Sequence, residues 1–285
     1  MSMSLVWLRL AAALYGASAL VAGFATLRGG SRVRLLLQPL LIGAMLFHFV
    51  SIVEVLNANH HWMPVAIHEL ESVIGIVLAG LFCWSLVRYG TVSLGMFVLP
   101  LVFLLTLAPA IGPDFGAFFS PRVRNGWVWL HVGFVLAAYS ALIFSFLASL
   151  LYLLQEQRLK QKSAGNRYRW LPPLETTDQI SYRMLLIGFP CMTLGLVTGS
   201  LLAEASIGPS YFSDPKVVLS FGMWLLYVFL LWLRSSTGVR GKRALYYSSV
   251  VFVVALTVYA ANSFSTVHRF NQPAAFNRQT RTSQP

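Results

Sequence analysis

The amino-acid sequence predicts an all-α, polytopic integral membrane bundle of about eight transmembrane helices, with both termini outside. Three observations lead there. Eight apolar stretches, each near bilayer-crossing length, fill most of the 285 residues. Hydrophobic residues make up 57% of the chain and charged residues only 11%, whereas soluble domains carry about 25% charged residues. The basic residues fall mainly in the short connections between apolar stretches, where they set orientation.

A helix needs about 20 residues to cross a hydrocarbon layer of about 30 Å. The first expected span, 7–27, is followed by Arg28, Gly29 and Gly30 with no small-residue cleavage pattern, so it reads as a retained span. The second, 35–56, holds Pro39 and His48; the third, 68–87, follows the external pair His60 and His61. The fourth, 91–111, contains Pro100, and the fifth, 127–154, is long enough to tilt or project from the lipid. The sixth, 184–204, contains Pro190; the seventh, 217–233, is short unless it starts in the preceding loop; the eighth is 244–262. Neighbouring helices can satisfy the backbone groups that these prolines release.

Fourteen Lys and Arg residues fall on one side of this arrangement and seven on the other. The richer side is expected in the cytoplasm. A connection at 155–183 forms the largest cytoplasmic segment: it begins as a charged extension of span five, and Pro172 and Pro173 stop any regular helix. TTDQISYR then reads as a cap or an interfacial lead into span six. Residues 1–262 are expected to form a single transmembrane domain, and 263–285 an external polar tail. The net charge of +12 therefore serves topology and contact with the lipid bilayer; no nucleic acid is expected as a partner.

His131 stands near the outer end of span five, and His268 just beyond span eight, so topology puts both outside. Neutral imidazoles ligate haem iron axially, and two facing rings close a six-coordinate site. Trp127, Trp129, Phe264 and Phe270 can cover a porphyrin face, with Arg122, Arg124 or Arg269 near its propionates. The alternative is an interfacial hydrogen bond for His131 and a solvated His268. His48 lies inside span two, as a hydrogen-bonded packing residue or a haem ligand; Glu54 is too far along the helix to support it. His60, His61, His68, Glu69 and Glu71 supply metal-ligand types without a closed zinc spacing. Glu71 can instead accept helix N-terminal amide bonds or orient a neighbouring ligand. In the loop 204–218, Asp214 before Pro215 reads as a helix cap, and Tyr211 with Phe212 as an alternative external aromatic shelf. Cys83 and Cys191 sit in apolar runs as packing residues, and no CxxCH attaches haem covalently to this chain. There is no phosphate loop, nucleophile elbow or HExxH, so hydrolytic chemistry has no support.

Together, HELESV (68–73), LGMFVLPL (94–101), the run 129–160, the run 178–204, SDPK (213–216), WLLYVFLLWLR (224–234) and GVRGKRALY (238–246) carry a resemblance. They resemble the CcsA/ResC and HemX-like cytochrome c assembly family of bacterial membrane proteins, over roughly residues 35–270. The resemblance implies His131 and His268 as the external haem ligands and His48 as an intramembrane one. Where the family carries a tryptophan-rich WGxxWxWDPKE motif, this chain has IGPSYFSDPKV, with Ile207, Tyr211 and Ser213 at the tryptophan places. Gly208, Asp214, Pro215 and Lys216 are retained, Val217 replaces the acidic residue, and Trp232 stands where a second intramembrane histidine often lies.

These departures place the chain nearer the HemX-like branch than a complete synthase. The resemblance implies a haem-handling protein of cytochrome c biogenesis in the bacterial cytoplasmic (inner) membrane, holding haem b transiently and non-covalently. His131, His268, His48, Tyr211, Asp214, Trp127 and Trp129 are its expected cofactor-binding residues, with His131 and His268 on the metal. Apocytochrome c or another membrane assembly subunit is the expected partner, and no residue marks an autonomous enzyme. The alternatives are a non-catalytic scaffold or regulator of a tetrapyrrole-synthesis or respiratory-assembly protein, and a small-molecule transporter.

Overall fold

A computed structural model describes residues 3–28, 31–58, 67–111, 126–160, 171–238 and 242–260. Its described residues form eight α-helices: α1 (Met3–Arg28), α2 (Ser31–Ala58), α3 (Ile67–Tyr89), α4 (Gly95–Ile111), α5 (Gly126–Lys160), α6 (Leu174–Ile207), α7 (Pro215–Ser236) and α8 (Lys242–Ala260). Short 3-10 turns at Val92–Leu94 and Gly208–Ser213 lead into α4 and α7. Helices are the outcome hydrocarbon imposes, because each closes its own backbone hydrogen bonds without water. Helices α1 to α7 are long and apolar enough to cross a bilayer. The eighth apolar stretch does form a helix, but α8 opens on Lys242 and Arg243 and falls outside that set.

Helix α5 carries the charged extension expected from the sequence, and one boundary, the start of α6, differs. Helix α5 runs on to Lys160, because QEQRLK contains no helix breaker and its Lys160 closes an ion pair with Glu156 one turn back. Helix α6 starts at Leu174 rather than near 184, with Pro173 as its N-cap and the Pro173 carbonyl accepting from Thr177 N at 3.3 Å. The two prolines therefore mark a helix start, where their fixed φ costs nothing. All of TTDQISYR is thus helical backbone of α6 instead of a lead-in, and the flanks of the 155–183 connection are helical. Helix α7 recruits Pro215 and Lys216 from the loop, which gives it 22 residues.

Two cores divide the bundle. One fills the space among α1 to α4 with Tyr15, Leu37, Leu41, Leu78, Phe82, Leu99 and Val102, and is closed by Phe144, Ala148 and Leu151 of α5 and Ile180 and Met184 of α6. The other joins Ala138, Leu142, Leu185 and Met192 to Met223, Tyr227 and Leu230 of α7 and Val251, Ala255 and Val258 of α8. Helices α5 and α6 make the most extensive pairing in the molecule and serve both cores. Large apolar side chains such as Leu20, Leu35 and Val87 stand exposed, as a lipid solvent permits. Buried hydroxyls return to their own helix: Ser18 donates to the Leu14 carbonyl, Thr106 to Val102 and Ser140 to Leu136.

A polar seam ties α5, α6 and α7. Ser145 Oγ donates to the Ser181 carbonyl at 2.9 Å, and the Ser149 and Ser181 hydroxyls meet at 2.8 Å. Arg234 of α7, 7% exposed, donates to Ser181 Oγ at 3.1 Å and to Asp178 Oδ1 at 2.5 Å, with its guanidinium 5.2 Å from the Tyr182 ring centre. Removing one partner of a buried ion pair strands the other charge. Asp178→Ala is therefore expected to lower stability by about 3 kcal/mol, and the double variant Asp178→Ala, Arg234→Met to recover most of it. Unfolding midpoints in mixed detergent measure Asp178→Ala, Arg234→Met and the double variant; single losses that simply add in the double variant would show that the pair is not coupled.

Candidate functional site

His131 occupies the second turn of α5 and packs against α6 at two glycines. Its Nδ1 lies 2.7 Å from the Gly195 carbonyl oxygen, which can only accept, so Nδ1 carries the proton and donates. In the neutral ring, Nε2 is then the lone-pair nitrogen. At Gly199 an added Cβ would lie 2.5 Å from His131 Cε1 and 2.7 Å from Nδ1. The missing side chain at Gly199 is what makes room for the imidazole. Gly195 and Gly199 form the small-xxx-small spacing that lets membrane helices approach closely.

The α6–α7 turn lies near this ring. Gly208 closes α6 with φ +68°, a backbone region that favours glycine, and its N–H donates to the Glu204 carbonyl. Asp214 caps α7, its Oδ1 accepting from Lys216 N at 2.9 Å, with Pro215 at the first helical position. The Lys216 ammonium lies within electrostatic reach of His131. Tyr211, expected as an exposed shelf, is 4% exposed and packs with Ala203 and Val217. Phe212 remains exposed, its ring centre 4.1 Å from that of Tyr211. Only one of the two rings is therefore open to a ligand: the 3-10 turn winds Tyr211 inward as part of the loop's own packing.

Trp127 and Trp129 are both exposed at the start of α5. Trp127 stands four residues before His131 and shares its helical face. His268, Phe264, Phe270, Arg122, Arg124, Arg269, His60 and His61 lie outside the described residues. Among the described residues no three His, Cys, Asp or Glu side chains group as a metal site. His68 instead pairs with Glu71 at 3.0 Å.

His48 sits elsewhere, fully buried among α1, α3 and α4. Its Nε2 lies 2.8 Å from Ser72 Oγ and its Nδ1 3.4 Å from Tyr15 Oη. Both ring nitrogens face protein hydroxyls, so an iron at either would have to displace one. Glu54 takes no part and accepts from Trp7 Nε1 at 3.1 Å. Trp232, at the place of the expected partner histidine, is 58% exposed beside Phe229. The structure brings His131, Lys216, Asp214 and Tyr211 to one end of α5, α6 and α7, and leaves His48 in the other core. Sequence reasoning missed Gly195 and Gly199; the GLVTG spacing was their signal. It also missed Tyr15 and Ser72, which nothing in the local sequence ties to His48.

These features define a polytopic helical membrane protein with an imidazole held at one end of its central helix pair. The profile of the cytochrome c assembly protein family matches residues 67–268, from the first residue of α3 onward, and the chain belongs to that family. It is 33% identical over 165 residues to the cytochrome c biogenesis protein CcsA of Prochlorococcus marinus (strain MIT 9515), covering 50% of this chain and 52% of that protein. The CcsA of Heterosigma akashiwo (strain NIES-293 / 8280G21-1) is 26% identical over 243 residues, 72% of this chain and 75% of the relative. The chain spans about half the length of the Prochlorococcus relatives it matches.

Gly199→Ala is expected to force the imidazole out of place and to lower stability by about 1–3 kcal/mol, the range for overpacking a tight contact. Gly222→Ala, where nothing lies within 4 Å of the added Cβ, is the control and is expected to be neutral or stabilising. Thermal unfolding in detergent compares them, and matching behaviour would show that Gly199 is not a packing constraint.

Proposed function

We propose that this protein handles haem in cytochrome c assembly, holding it transiently and non-covalently at the outer face of a bacterial cytoplasmic membrane. His131 and His268 are its axial ligands in this reading. The supporting observation is the His131 Nδ1 bond to the Gly195 carbonyl. Metal-ligating histidines characteristically donate the second ring N–H to a carbonyl or carboxylate, which fixes tautomer and orientation. The chain's residues fit the group in kind: an oriented imidazole, exposed Trp127 and Trp129 for the porphyrin face, and Lys216 as a cation for its carboxylates. Bound haem supplies the iron-porphyrin that an apocytochrome receives. The chain itself binds, orients and screens, and a partner subunit completes ligation.

The name of the CcsA relatives supports placement in cytochrome c biogenesis. The charge asymmetry of the connections supports both termini outside and one transmembrane domain over 1–262, with the tail 263–285 external. Burial of Tyr211 favours a second reading, in which the chain is a non-catalytic scaffold for an assembly partner.

Haem titration of the purified full-length protein separates them. The wild type is expected to develop a Soret band, and His131→Ala to weaken haem binding by at least about tenfold, with added imidazole restoring the spectrum. An unchanged spectrum in the His131→Ala, His268→Ala double variant would overturn the ligand assignment. Stoichiometric recovery of a partner without haem would support the scaffold.

A further inference from the structure

A second concavity lies at the opposite end of α5 from His131. It measures about 270 Å³ and sits where α5 ends and α6 begins. Arg158 lines it together with apolar Leu159, Leu171, Pro173 and Leu174, and the amide of Gln155 forms its floor. That floor is fixed: Gln155 is buried, donates to the Pro172 carbonyl at 3.4 Å and accepts from Thr177 Oγ1 at 3.2 Å. Among the described residues no imidazole, thiol or thioether lines the concavity, and its volume is below the roughly 300–1,000 Å³ of sites for drug-sized ligands. It is not a second haem site.

Its depth points to the occupant. A rise of about 1.5 Å per residue puts Gln155 about 36 Å along α5 from His131. The hydrocarbon core is about 30 Å thick, and about 40–45 Å with the headgroups. With His131 at one border, Arg158 and Leu159 therefore fall in the headgroup layer of the other leaflet. Leu159 is exposed toward the lipid while Arg158 offers a planar donor fork suited to phosphate. Charge agrees: Glu156 is matched by Lys160, and the sequence between α5 and α6 adds Lys162, Arg167 and Arg169 with no Asp or Glu.

We propose that this concavity is a headgroup site for an anionic phospholipid, with Arg158 on the phosphate and the leucine-lined wall against the upper acyl chain. The lipid clamps the α5–α6 hairpin at the end remote from the histidine. Surface electrostatics alone would treat every lysine and arginine here alike, whereas a built site singles out Arg158.

The test uses the full-length protein in nanodiscs of mixed phosphatidylglycerol and phosphatidylcholine, released into detergent and weighed by native mass spectrometry. Retained phosphatidylglycerol is expected to fall about fivefold in Arg158→Gln, the effect of about one basic residue at a membrane surface. It is expected to persist in Lys160→Gln and to fall partway in Arg158→Lys, which keeps the charge but not the donor fork. Leu171→Trp, which fills the concavity and keeps the charge, is expected to lose it as well. Equal losses in Arg158→Gln and Lys160→Gln, full retention in Leu171→Trp, or displacement of the lipid by inorganic phosphate would each overturn the proposal. None of these readouts involves haem, so the outcome is independent of the function proposed above.

Discussion

The contact between α5 and α6 organises everything else in this molecule. It is the widest helix pairing, it contributes side chains to both cores, and small residues let it close tightly. At one end Gly195 and Gly199 admit the His131 ring, and toward the other Ser145, Ser149 and Ser181 interlock. Between helices in lipid the surrounding solvent is as apolar as the side chains, so close packing and hydrogen bonds replace the hydrophobic effect. A helix pair built this way holds polar groups at defined positions because those groups have no water to turn to.

The same constraint separates the fully buried His48 from the half-buried His131. His48 is enclosed by Tyr15 and Ser72 and by the wall around Gly75 and Thr106, a closed tie among the first four helices. His131 has one nitrogen committed to a carbonyl of the neighbouring helix, with exposed tryptophans one turn away. The family match covers α3 onward and so includes the His131 contact, whereas His48 lies on α2 ahead of it. The two imidazoles differ in the hydrogen bonds they make, hydroxyls for His48 and a backbone carbonyl for His131, and in depth, His48 being fully buried and His131 half-buried.

The α6–α7 turn has a structural task of its own. Gly208 reverses the chain, Asp214 satisfies a free amide at the start of α7, and Pro215 begins the helix. Those three positions hold the turn together whether or not a porphyrin is present. The turn also brings Lys216 within electrostatic reach of His131.

Hydropathy by itself determined the helices, their order and the membrane class, because a run of apolar residues of bilayer length has one stable backbone solution. Local chemistry also made the Asp214 cap readable, since a carboxylate and the following proline act within two residues. Pairings across the bundle were settled only by tertiary structure: Arg234 with Asp178, His48 with Tyr15 and Ser72, Trp7 with Glu54, and His131 with Gly195. Each joins residues 24 to 64 positions apart. Periodicity names the face of a helix but not the helix that covers it, so the partner of a buried polar group emerges only when the bundle closes.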